Sequence, residues 1–194
     1  MSTIRSNFIG PLTGTSLPTL SASPVLMDAK AYNWNGLTTN TYLDFDSTVS
    51  STLSGVSGIP SWVKRITVTL QGVSTNGSSQ VGLQVGSGSV QTSGYNGTGW
   101  GGAVTSFATT SNWSAIAYTN DAGTAAATRS GTFVLTLVSG NTWGITAVLA
   151  QSDTARTMGG AGFVTLSGTL DRVRITTVNG TDTFDAGSVS VMYE

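Results

Sequence analysis

At 194 residues the chain is sized for one domain, and its eight basic and nine acidic side chains leave a net charge of −1. It holds neither histidine nor cysteine, which excludes an imidazole general base, a zinc site built from the usual ligands, a thiol nucleophile and any disulfide. Charged residues make up 9% and form no Lys/Arg cluster, so nucleic acid is excluded as a partner, while abundant β-branched residues with almost no net charge point to an ordered all-β chain rather than disorder.

Residues 1–30 read as an extended arm. Pro11, Pro18 and Pro24 recur among Thr, Ser and Leu, and proline both lacks a backbone donor and pushes its predecessor toward extended geometry. Ile4, Phe8, Ile9, Leu12, Leu17 and Leu20 are too many apolar side chains for a free tail, so the arm is expected to dock onto another protein. The start, Met1-Ser-Thr-Ile-Arg5-Ser-Asn-Phe8, lacks the basic-then-apolar order of a secretory signal. No run reaches the ~20 apolar residues that span a bilayer, so no membrane insertion is expected. Zero cysteine suits synthesis in a reducing cytoplasm.

From residue 31 to 194 the apolar pattern has period two, as in half-buried strands. Leu43 and Phe45 alternate with Asp44 and Asp46; Ile66, Val68 and Leu70 with Thr67, Thr69 and Gln71; Val81, Leu83 and Val85 with Gly82, Gln84 and Gly86. Phe133, Leu135 and Leu137 form one face, and Trp143, Ile145, Ala147 and Leu149 another. Val173 with Ile175, then Val189, Val191 and Tyr193, complete the set. Asn76-Gly77, Ser139-Gly140-Asn141 and Asn179-Gly180 separate these runs with residues that tolerate the positive φ of tight hairpin turns. Roughly eight strands so spaced predict an antiparallel β-sandwich, jelly-roll-like, behind the N-terminal arm. Residues 86–130 interrupt the pattern, with weak strand signals except near Trp113–Tyr118, and read as long functional loops.

Carboxylate chemistry has a small pool to draw on. Asp44 and Asp46 share a strand face, yet no glycine-centred calcium loop surrounds them, and a solvated face is the simpler reading. Asp182 and Asp185 flank Phe184 and suit turn bracing; Asp171 or Asp182 can pair with Arg172 and Arg174. Asp121 and Asp153 complete the pool, and no pair stands out as a glycosidase couple. No catalytic residue, metal or cofactor is therefore expected. Trp62 and Trp143 sit in aliphatic surroundings and are expected in the core. Tyr95, Trp100, Trp113 and Tyr118, among Gly, Asn and Ser, are the expected binding residues, able to stack on a saccharide or a protein surface.

Two segments carry a resemblance. Gly58-Ile-Pro-Ser-Trp62-Val-Lys-Arg65-Ile-Thr-Val-Thr-Leu70 is one; the run from Leu166-Ser-Gly-Thr-Leu170-Asp-Arg172 through Asp182-Thr-Phe-Asp185 to Val189-Ser-Val-Met-Tyr193-Glu194 is the other. Together residues 31–194 resemble a β-rich domain found at the C-terminus of tailed-bacteriophage tail-fibre and related virion proteins. The resemblance implies a non-enzymatic virion structural role, a homotrimer, manufacture in the host bacterial cytoplasm, and partners among other virion proteins reached through residues 1–30. Tail fibres carry this domain behind a long shaft, whereas here residues 1–30 precede it, which suits a short spike, a head fibre or a capsid decoration protein. The expected function is host recognition at the tail, with a surface glycan or protein as target. Capsid decoration or head-fibre service is the alternative, and a glycan-degrading spike enzyme a third.

Overall fold

The computed structural model describes the backbone of Tyr32–Asn33 and Tyr42–Phe45, and residues 58–101, 124–153, 156–177 and 179–194. The arm residues Ile4, Phe8, Ile9, Leu12, Leu17 and Leu20 lie outside the described residues, as do Asp46, Trp113, Tyr118 and Asp121.

Period-two alternation becomes strands whose apolar sides meet. β1 (Tyr32–Asn33), β2 (Tyr42–Phe45), β3 (Arg65–Thr75), β4 (Val81–Ser87), β5 (Ser89–Val90), β6 (Tyr95–Gly101), β7 (Arg129–Ser139), β8 (Thr142–Gln151), β9 (Arg156–Thr165), β10 (Arg172–Thr177) and β11 (Phe184–Tyr193) follow in chain order. They form two sheets, a seven-stranded one ordered β1-β11-β3-β7-β8-β9-β6 and a four-stranded one ordered β2-β10-β4-β5. Every pairing is antiparallel, and no helix occurs among the described residues. The architecture is all-β and sandwich-like, with one buried apolar cluster drawn from both sheets. Ile66, Val68 and Leu70 of β3, Phe133 and Leu135 of β7, and Ile145 and Leu149 of β8 meet Leu83 and Val85 of β4 and Val173 and Ile175 of β10 there. Burying a side chain of this size contributes about 1.5–3 kcal/mol, so this cluster is the main source of stability.

The turns divide into two kinds. Ser139-Gly140-Asn141 joins β7 to β8 as a hairpin, with Ser139 opposite Thr142 and Gly140 at φ +53°. The two Asn-Gly turns instead carry the chain from one sheet to the other, since β3 and β4 lie in different sheets, as do β10 and β11. Gly180 has the positive φ expected of it, +65°. Gly77 serves a different need: a β-carbon there would overlap the Asp182 carboxylate.

Residues 86–101 are not the irregular loop the sequence predicts. They contain β5 and β6, and β6 pairs along β9 with Gly97 opposite Gly162 and Gly99 opposite Gly160. Glycine lowers strand propensity and erases the alternation, which hides both strands. At Gly162 a β-carbon would collide with the Asn96 carbonyl, so the close approach of these backbones depends on the missing side chain.

Candidate functional site

One end of the molecule is built from four converging segments. Pro60–Val63 forms a turn closed by the Val63 N–H donating to the Pro60 carbonyl at 3.1 Å. This turn is tied to the 165–171 segment by the Ile59 N–H donating to the Asp171 carbonyl at 3.1 Å. The β7–β8 hairpin reaches the same place, where the Asn141 carbonyl accepts from the Leu166 N–H at 3.1 Å and the Thr142 and Thr165 hydroxyls meet at 2.9 Å. The 87–94 loop joins them, with the Gly88 N–H donating to Asp171 Oδ2 at 2.8 Å.

Between the 60–64 turn, the hairpin and the 165–171 segment lies a hollow of about 170 Å³. Val63, Leu137, Trp143 and Leu170 give it apolar walls, and Ser61, Lys64, Asn141 and Thr169 give it polar ones. Lys64 is held by its backbone on both sides: its N–H donates to the Glu194 carbonyl at 2.7 Å and its carbonyl accepts from Leu137 N–H at 2.8 Å. Glu194 spends its side chain on Arg65, Nη1 to Oε1 at 3.1 Å. Asp171 pairs with Arg172, Nε to Oδ1 at 2.7 Å. Burial pushes the Asp171 carboxyl up, but bonds from Arg172 and Gly88 and the Arg172 charge outweigh it and hold the group below its usual range.

The opposite end is a polar brace. Asp182 accepts from the Ser79 N–H at 2.8 Å and from Asn179 Nδ2 at 2.5 Å, and Asn76 Oδ1 accepts from the Thr183 N–H at 2.8 Å. Asp185 accepts from the Ser74 hydroxyl. Turn bracing by Asp182 and pairing of Asp171 with Arg172 are thus as expected, whereas Asp185 ties β11 to β3 through Ser74 instead of bracing the turn. Buried Arg129 lies near this end, donating to the Ala127 and Ser79 carbonyls at 3.4 Å each. Burial lowers its pKa, and the charges of Asp153 and Asp182 oppose that. Among the described residues no group of three or more Asp or Glu is placed to hold a metal ion.

Of the expected binding residues, Tyr95 alone has a described side chain. Tyr95 is a core residue, 1% exposed, because it opens β6 on the inward side and needs an acceptor and a donor for its hydroxyl. It finds both: the hydroxyl accepts from the Val85 N–H at 2.8 Å and donates to the Gln91 carbonyl at 2.9 Å. Trp100 pairs with Gly159 in β6, and its side chain is outside the described set. Asp44 pairs with Arg174 in backbone register. Trp143 is core as expected. Trp62 is not: it is 44% exposed and meets the Tyr193 ring edge-on at 5.8 Å between centroids. It occupies the middle of the Pro60–Val63 turn, where a side chain projects from the sheets instead of between them. The proline just before it was the available signal.

A second surface escaped the sequence reading. The outer face of the seven-stranded sheet carries rows such as Met192–Thr67–Val134–Thr146–Ala161 and Ser190–Thr69–Thr132–Val148–Gly159. Val148 is 53% exposed and Phe163 49%. From β11 to β9, among the described residues that the register pairs, the charged residue at an outward position is Arg65, at the margin and already paired to Glu194; Asp185 lies in the β11 bulge, outside that register, and is bonded to the Ser74 hydroxyl. Comparison of the chain with protein-family models, curated proteins and solved structures finds no match.

Proposed function

We propose that the chain is a non-enzymatic structural protein of a bacteriophage virion, an exposed appendage anchored by residues 1–30, assembled as a homotrimer and acting in host recognition at the tail. The observation that carries this reading is the nearly uncharged outer face of the large sheet. Interface cores are depleted in charge, and a face of Thr, Val, Ala and Met has nothing with which to repel its own copy. Exposed Val148 and Phe163 supply the apolar contact.

The strand order supports a jelly roll as the underlying fold. The sets β1-β11-β3-β7 and β2-β10-β4-β5 have the order of a ribbon folded back on itself and wrapped into two sheets. In this reading β8, β9 and β6 extend the first sheet and widen the contact face.

Light scattering on the full chain tests the assembly. A trimer is expected, and Val148→Lys with Phe163→Lys is expected to give a folded monomer. A monomeric native chain, or an unchanged trimer in the double variant, would overturn the contact face. Gold-labelled antibody on intact virions tests the location: label at the tail tip supports host recognition, label over the capsid replaces it with decoration or head-fibre service, and no label rejects the virion role.

A further inference from the structure

We propose that the hollow between the 60–64 turn, the β7–β8 hairpin and the 165–171 segment is a subsite for one carboxylated sugar unit. This goes beyond the assembly reading and stands without it, because it rests on other residues. A sugar ring offers an apolar face of C–H groups and a rim of hydroxyls. The hollow offers a complement: half-buried Leu137 as its open apolar wall, backed by the buried Val63, Trp143 and Leu170, and a rim of Ser61, Lys64, Asn141 and Thr169.

Three observations give the ligand its character. First, the four rim side chains make no hydrogen bond or ion pair among the described residues, so their donors and acceptors are available. Second, the carboxylates of this end are spent elsewhere, Glu194 on Arg65 and Asp171 on Arg172 and Gly88. Lys64 is therefore an uncompensated cation at the rim, and it asks for one anionic oxygen pair. Third, the backbones of Lys64 and Asn141 are fixed from neighbouring segments, at 2.7 and 2.8 Å for Lys64 and 3.1 Å for Asn141. A preorganised rim loses less freedom on binding. A bare phosphate would use the cation but leave the open side of Leu137 uncovered, so Leu137 favours the ring.

The test is an amide NMR titration of the full chain with three probes: galacturonic acid, neutral galactose and inorganic phosphate. Galacturonic acid is expected to shift the Gly140 and Asn141 amides and the Trp143 indole N–H saturably. Loss of one charge-assisted hydrogen bond corresponds to a weakening of roughly tenfold or more. Galactose and the Lys64→Gln variant are both expected to show it, and Lys64→Arg to restore binding. Lys64 is exposed, so the variant's undisturbed spectrum elsewhere will report an intact fold. Equal affinity for galactose and galacturonic acid would overturn the role of Lys64. Phosphate acting as strongly as galacturonic acid would overturn the sugar class. No saturable shift with galacturonic acid would remove the site.

Discussion

The Tyr95 hydroxyl shows how much one oxygen can do in this molecule. It accepts from the Val85 N–H of the small sheet while its ring is anchored in the large one. Tyr95→Phe leaves a buried N–H without a partner, and such a loss destabilises by ~1–3 kcal/mol. A urea midpoint lowered without change in the slope of the transition checks it. Burial also pushes the phenol pKa of Tyr95, and less strongly that of Tyr193, above its ordinary value of 10.0. Below pH ~10 the phenol is neutral in both folded and unfolded chains. Above it the unfolded chain releases the proton and folded Tyr95 keeps it, so the unfolded state binds fewer protons and stability falls as pH rises. The fall approaches about 1.4 kcal/mol per pH unit for one such group. In Tyr95→Phe, denaturation curves collected above pH ~10 are expected to show a flatter decline. The sequence could not reveal this role. Tyr95 stands among Ser, Gly and Asn, with no alternating neighbours to mark it as inward-facing.

At the scale of elements, legibility follows side chains. β3, β7, β8 and β10 announce themselves because Ile, Val, Leu and Phe alternate with Thr and Arg. β6 and β9 do not, since their pairing rests on Gly97, Gly99, Gly160 and Gly162, which have no side chain to alternate. The two Asn-Gly turns could be placed from sequence but not their role, because a turn between sheets and a turn within one use the same residues. The hollow was equally hidden: it is made of segments far apart in the chain, and only the register of β7 with β8 and the ties from Asp171 and Glu194 bring them together. The bulge where β11 meets β3 is another feature of this scale. The register slips between Ala186 and Ser188, and Gly187 sits there at φ +95°, where an added β-carbon would overlap the Gly72 and Val73 backbone. Gly187→Ala must both strain the backbone and push on a neighbouring strand that cannot yield. A loss of roughly 2–4 kcal/mol is expected, read as a lowered thermal midpoint. Gly140→Ala, at φ +53° with open space around it, is expected to lose only about 1–2 kcal/mol. A larger loss at Gly140 than at Gly187 would contradict this account of the bulge.

For the whole molecule, the last two strands matter more than their position suggests. β11 lies between β1 and β3, and β10 lies between β2 and β4. Removing residues 184–194 therefore separates β1 from the rest of the large sheet and strips Phe184, Val189 and Tyr193 from the core. Loss of cooperative unfolding is expected, with calorimetry as the check; a retained sharp transition would show that the core stands without its penultimate edge. This wiring also bears on biosynthesis. Neither sheet can close until β10 and β11 have emerged, because each joins strands made well before it. A ribosome delivers roughly 5–20 residues each second, and folds dominated by distant pairings form slowly, in milliseconds to seconds. Until then β3 and β4 wait with open edges, at a time when sister chains are close by on the same message. The near absence of charge gives those open edges little mutual repulsion. The interval before the last two strands pair is where this chain is most exposed to mispairing, and where a chaperone would have most to do.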